Sequence, residues 1–278
     1  MLASNHNPIP ILTYHQISEL PAKDVPFREL HVTPGAFAQQ MSLLARHGYT
    51  GCSMTALQPY LNGKRTGKVV GITFDDGYTN NLQHAMPILR DKGFSSTCYV
   101  VSNLIGKTNL WDVENGIPES GLMNDDQLRE WIQGGQEVGS HTLNHIRLPF
   151  GDDDLCRKEI ANAKVDIERV TGQAVLHFAY PYGAYDARHM TMIQESGYAT
   201  ATTTRRARCK AQADLLQLPR IPILCDTSLL MLLLYVATDY TDVLDGARTL
   251  ARSGRRYFFK KKLGHGAMTD SKRGISRR

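Results

Sequence analysis

Three short clusters in the 278-residue sequence carry side chains able to do hydrolytic chemistry. The first is Thr73-Phe74-Asp75-Asp76-Gly77-Tyr78, with two adjacent carboxylates after an apolar run. Side chains alternate at a strand end, so one acid can bind a cation while the other faces a substrate. Burying both without a counter-charge is costly, although the same letters also make an ordinary turn. The second is His141-Thr142-Leu143-Asn144-His145. Two histidines four apart on a helical turn project from one face and can clamp a metal, and the spacing also arises by coincidence. The third is Phe178-Ala179-Tyr180-Pro181-Tyr182-Gly183, where Pro181 and Gly183 fix a tight loop. Tyr180 and Tyr182 can stack on sugar rings, and a backbone N–H beside Pro181 can donate to an oxyanion. The competing reading is a plain turn with two aromatics. Taken together, Asp76, His141 and His145 offer a two-histidine, one-carboxylate site with positions left open for water and substrate.

The elements that must position these residues alternate between strand and helix. Strands are expected at 9–14, 69–74, 95–101, 137–140, 175–179, 199–204 and 218–224. Helices are expected at 34–47, 54–61, 79–92, 125–133, 152–170, 187–195 and 227–236. Thr33 and Ser53 stand at helix N-caps, Pro34 at a first helical position, and Gly48 and Gly93 at helix ends. Residues 18–33 and 102–121 read as loops. Such alternation is the pattern of parallel β/α units, so an α/β barrel, complete or distorted, is the first expectation and an open doubly wound sheet the second. Either architecture gathers ligands at the C-terminal ends of the strands, where all three clusters fall.

Composition sets wider bounds. Apolar residues make up 42% and charged residues 21%, ordinary values for a globular chain. The net charge of +5 is unevenly spread. Residues 246–278 hold eleven Lys/Arg against one acid, and residues 1–245 hold twenty-one against twenty-six. The division expected is a catalytic domain over 1–245 and a solvated basic tail over 246–278. Nucleic acid is not an expected partner, and the tail offers at most weak contact with an anionic membrane surface. Five widely spaced cysteines without a C-x-x-C pair argue against a disulfide framework or a thiolate zinc site. Residues 1–8 lack the basic start and long apolar run of a secretory leader. The longest apolar run, Leu229–Ala237, is too short to span a bilayer, so a soluble, cytoplasmic chain is expected.

The ordered clusters at 73–77, 141–145 and 180–183 resemble the first three motifs of the polysaccharide deacetylases, carbohydrate esterase family 4. Tyr14-His15-Gln16-Ile17 resembles the opening of the subgroup that includes bacterial poly-N-acetylglucosamine deacetylases. The resemblance spans about residues 9–224. It implies a distorted (β/α)7-type barrel acting on an acetylated poly- or oligosaccharide. It also implies Asp75 as general base, Asp76, His141 and His145 as ligands of a divalent metal (zinc first), and Tyr180, Pro181 and Tyr182 lining the substrate site. Tyr182 would add its backbone N–H to the oxyanion.

The chain departs from that pattern in places. Much of the family has an arginine two residues before the proline of the third motif, and here Ala179 stands there. Arg220 is the candidate replacement for orienting Asp75; otherwise it is a surface arginine or a partner of Asp214. The later Asp-rich motif is matched only loosely, by Asp214. Leu263-Gly264-His265 fits the closing motif in letters but lies in the basic tail. The general acid is therefore unassigned, and His15, at the end of the first strand, is the preferred extra active-site residue. Two other functions compete with the deacetylase: hydrolysis of a small non-sugar amide, and saccharide binding without catalysis.

Overall fold

The computed structural model describes residues 8–210 and 212–245. The basic tail and Leu263-Gly264-His265 lie outside the described residues. The strands are β1 (Ile11–Tyr14), β2 (Gln16–Ile17), β3 (His31–Val32), β4 (Thr50–Cys52), β5 (Val69–Phe74), β6 (Thr97–Val100), β7 (Glu137–Ser140), β8 (His177–Ala179), β9 (Thr200–Thr202) and β10 (Ile221–Pro222). The helices are α1 (Pro34–Arg46), α2 (Met54–Leu61), α3 (Met86–Asp91), α4 (Asp125–Gln133), α5 (Asp153–Thr171), α6 (Ala187–Glu195) and α7 (Leu229–Ala237).

An eight-stranded parallel sheet runs β10-β1-β5-β6-β7-β8-β9, with β4 also beside β5. β5 is buried at all six positions, as a strand covered on both faces must be. The sheet curls into a distorted barrel surrounded by helices. Its seam is the segment 218–222: Leu218 bridges to Thr202 of β9, and Ile221 and Pro222 pair with Leu12 and Thr13 of β1. Pro219 and Pro222 have no N–H to donate, so this segment cannot build a full ladder and the barrel closes irregularly.

The core is tied by aromatic contacts between layers. Phe37 of α1 meets Tyr14 at 5.1 Å and Phe74 at 5.9 Å, and Phe74 meets Trp131 of α4 at 5.8 Å. Thr33 caps α1 by accepting from the Ala36 N–H, and Asn124 and Gln127 form a capping box on α4. At Gly139 in β7, a Cβ would fall 2.5 Å from the Tyr99 ring and 2.9 Å from the His177 carbonyl oxygen. Gly139→Ala should therefore cost about 1–3 kcal/mol, through the displacement that overpacking forces. An unchanged urea midpoint would contradict that close approach.

Three expected features differ. The helix expected over 79–92 is a π turn, Asn81–Ala85, followed by α3. Pro87 lacks the N–H that would bond the Gln83 carbonyl, and the chain widens just before it. Asn81 in that turn donates to the His15 carbonyl and accepts from the Ile17 N–H, which braces the end of β1. The stretch expected as a loop over 18–33 contains β3, which pairs with β2. The one expected over 102–121 contains 3-10 turns at Ser102–Leu104 and Leu110–Asn115.

Candidate active site

Asp75 continues the ladder beyond β5, its N–H donating to the Tyr14 carbonyl at 3.0 Å. Asp76 then turns into the left-handed region, with φ 75°, and Gly77 follows at φ 83°. This reversal sends the two carboxylates to different partners. Asp76 Oδ1 lies 3.6 Å from His141 Nε2 and 3.4 Å from His145 Nε2. Ligand atoms from Asp76, His141 and His145 all lie within 4.8 Å of one another, and all three residues are buried.

The two histidines do not converge through a helical turn, as their spacing predicts. Residues 142–144 form a non-helical turn, with Thr142 at φ 68° and His145 at φ 58°. The turn is held from several sides. The Thr142 hydroxyl accepts from the His145 N–H, and the Glu159 carboxylate of α5 accepts from both the N–H and the side-chain amide of Asn144. Four of the six non-glycine residues with positive φ among the described residues belong to this site: Asp76, Thr142, His145 and Tyr182. Unfavourable backbone is concentrated where the side chains of this cluster are aimed.

Each histidine uses Nδ1 to face the protein. His141 Nδ1 lies 2.7 Å from the Ala179 carbonyl oxygen. A carbonyl only accepts, so Nδ1 carries the proton and Nε2 presents a lone pair to Asp76. Burial pushes the His141 imidazole down to about 4, which keeps it neutral near pH 7. His145, also driven well down by burial and then by His141, places Nδ1 3.1 Å from the Tyr182 hydroxyl. Its ring sits between Trp111 at 4.5 Å and Tyr182 at 4.6 Å.

These features fit a bound divalent cation. Asp76 Oδ1 is buried and has no hydrogen-bond partner. Burial, then the charges of Asp75 and Asp112, push the Asp76 carboxyl well above its usual range. A lone buried carboxylate oxygen facing two lone-pair nitrogens is unfavourable by itself, and a cation among the three removes that cost. Because partners at Nδ1 tune ligating histidines, Tyr182→Phe should weaken metal affinity about 10–100-fold. Unchanged affinity in a chelator competition would show that the hydroxyl does not support His145.

Asp75 faces the barrel seam. Arg220 Nη1 and Nη2 donate to its two oxygens at 2.6 and 2.7 Å, a bidentate pair with both residues buried. Burial alone would raise the Asp75 carboxyl, but the guanidinium overcomes this and holds it well below the usual carboxylate range. Arg220 is fixed in turn by the Thr203 carbonyl at 3.1 Å and the Thr73 hydroxyl at 3.2 Å. Asp214 is elsewhere, bonded to Leu216 and Gln217. His15 shares a groove of about 750 Å³ with Thr13, Asp75, Gly183, Tyr185 and Arg220.

The third cluster divides. Tyr182, 38% exposed, presents its ring beside His145 with the Arg147 guanidinium 3.7 Å above it. Tyr180 is fully buried, stacked on Tyr185 with its hydroxyl donating to the Leu216 carbonyl, and Pro181 is buried too. Neither has a face to offer a ligand. The left-handed turn at Tyr182, φ 59°, brings only that side chain outward. Sequence reasoning passed over Trp111, Glu159 and Arg147. No spacing rule marks them, because each reaches the site from a different loop or helix.

The parallel barrel gathers Asp76, His141 and His145 beyond the C-terminal ends of β5 and β7. Residues 62–201 match the family profile described as polysaccharide deacetylase, and the chain belongs to that family. Among its relatives, the protein YxkH of Bacillus subtilis (strain 168) is 27% identical over 217 residues, covering 77% of this chain and 71% of YxkH. The poly-β-1,6-N-acetyl-D-glucosamine N-deacetylase of Staphylococcus epidermidis is 24% identical over 203 residues, covering 68% of this chain and 67% of that protein. Among solved structures, the Streptococcus pyogenes deacetylase PplD in complex with acetate superposes with a TM-score of 0.73 and 28% identity, covering 83% of this chain and 98% of PplD. Among the described residues, no helix is long and apolar enough to cross a membrane.

Proposed function

We propose that the chain is a metal-dependent deacetylase that removes N-acetyl groups from N-acetylglucosamine-type residues of a polysaccharide or oligosaccharide. The observation that carries this reading is the division of labour between adjacent acids. Asp76 joins two neutral imidazoles, while Asp75 stands apart on Arg220. A saccharide-binding module would not need the second carboxylate. The name of the S. epidermidis relative supports the substrate class, and the acetate in PplD is the product such a reaction releases.

Asp76, His141 and His145 would hold the cation, with zinc the first candidate for a two-histidine, one-carboxylate set. When bound, it supplies Lewis-acid polarisation of the acetyl carbonyl and makes water acidic enough to ionise near neutral pH. Asp75 accepts the proton of the attacking water, with its carboxylate kept ionised and oriented by Arg220. The Tyr182 backbone N–H donates to the oxygen that gains charge as the carbonyl carbon becomes tetrahedral. The proton taken up by Asp75 then passes to the departing amine in the groove that His15 also lines, and acetate leaves. The open groove of about 750 Å³ suits a chain of sugars better than a small amide.

The test is acetate release from a β-1,6-linked N-acetylglucosamine oligomer, compared with release of acid from small formamides and ureides. Turnover of the oligomer alone, abolished by chelation and restored by zinc, is expected. Turnover confined to the small amides, or unaffected by chelation, would overturn the reading.

A further inference from the structure

Arg205 and Arg206, on the loop after β9, line the same groove as Asp75, His15 and Arg220, and both are exposed. Their backbone is pinned to the catalytic machinery. The Arg205 N–H donates to the Thr203 hydroxyl, the Arg205 carbonyl accepts from the Arg220 N–H, and the Thr203 carbonyl accepts from Arg220 Nε. The residue that orients Asp75 thus also fixes the base of this arginine pair. Neither guanidinium enters any ion pair found among the described residues, although residues 1–245 carry more acids than bases. Besides Asp75, two acids also line the groove, Glu29 from the turn before β3 and Asp245.

We infer that the loop after β9 forms a subsite for an anionic group, a carboxylate or a phosphate, on a sugar neighbouring the one deacetylated. This rests on the deacetylase reading and narrows its substrate class to acidic saccharides. Two adjacent guanidiniums can each bridge a pair of oxygens on a planar carboxylate or a tetrahedral phosphate, and their charge-assisted hydrogen bonds discriminate against a neutral chain.

Three N-acetylglucosamine oligomers of equal length test the inference: one neutral, one bearing a uronate carboxylate and one bearing a phosphate monoester. The wild-type protein is expected to show a lower KM for one or both anionic oligomers than for the neutral one. Arg205→Ala/Arg206→Ala should raise the anionic KM about 10-fold or more, with kcat and the neutral KM nearly unchanged. Glu29→Gln should not weaken the anionic substrates. Equal KM values for all three oligomers, or an equal effect of the double variant on all three, would overturn the subsite. Whichever anion responds identifies the substituent. If no oligomer loses acetate, the deacetylase reading fails separately, and calorimetric binding of the same three oligomers still decides the subsite. Tighter anion binding that is lost in the double variant upholds it, and equal binding refutes it.

Discussion

Asp75→Asn is expected to slow acetate release by about 10²–10⁴-fold, the contribution of a positioned general base. The amide is nearly isosteric and can still accept from Arg220, but it cannot take up a proton. Asp76, His141 and His145 are untouched by the change, so metal content should match the wild-type protein. The opposite orientation of the two neighbouring acids makes this separation testable. Asp75 meets Arg220 at 2.6 and 2.7 Å, while Asp76 approaches both imidazoles. Undiminished turnover in the variant would remove Asp75 from the mechanism, and lost metal would mean the two carboxylates share the ion.

Arg220→Met should be damaging for two reasons. It leaves the buried Asp75 carboxylate without its counter-charge, and breaking a buried pair by removing one partner costs about 3–5 kcal/mol. It also frees Asp75 to rotate, so kcat should fall while KM changes little, the mark of a positioning residue. Arg220→Met combined with Asp75→Asn removes the stranded charge and should recover part of the stability without recovering turnover. Urea unfolding of the single and double variants reads the coupling directly. A single variant within about 1 kcal/mol of the wild type would show that the pair is not the anchor its geometry suggests.

Much of the fold could be read from local chemistry. The run Val69–Phe74 is apolar on both faces, and it forms a fully buried strand with the expected bounds. Thr33 before Pro34 announces α1, and Gly183 and Pro181 announce the turn after β8. Helical spacing misleads at 141–145, because four-residue spacing also results from a left-handed turn pinned by Thr142 and Glu159. The partner of Asp75 has no local signature. Arg220 lies 145 residues away, and only the irregular closure of the barrel brings it inward. The sequence raises Arg220 as a replacement for the arginine absent at Ala179, and the fold supplies a physical reason for considering it. Alternation also places Tyr180 and Tyr182 in the same cluster, but only a backbone dihedral decides which ring reaches solvent.

The most direct test of the central claim is metal content. After chelation, reloading with zinc and desalting, elemental analysis should find about one divalent ion per chain. Asp76→Ala, His141→Ala and His145→Ala should each lose it, with acetate release falling in parallel. A folded wild-type protein that retains no ion, or variants that retain as much as the wild type, would contradict the assignment of these three side chains as the site of hydrolysis.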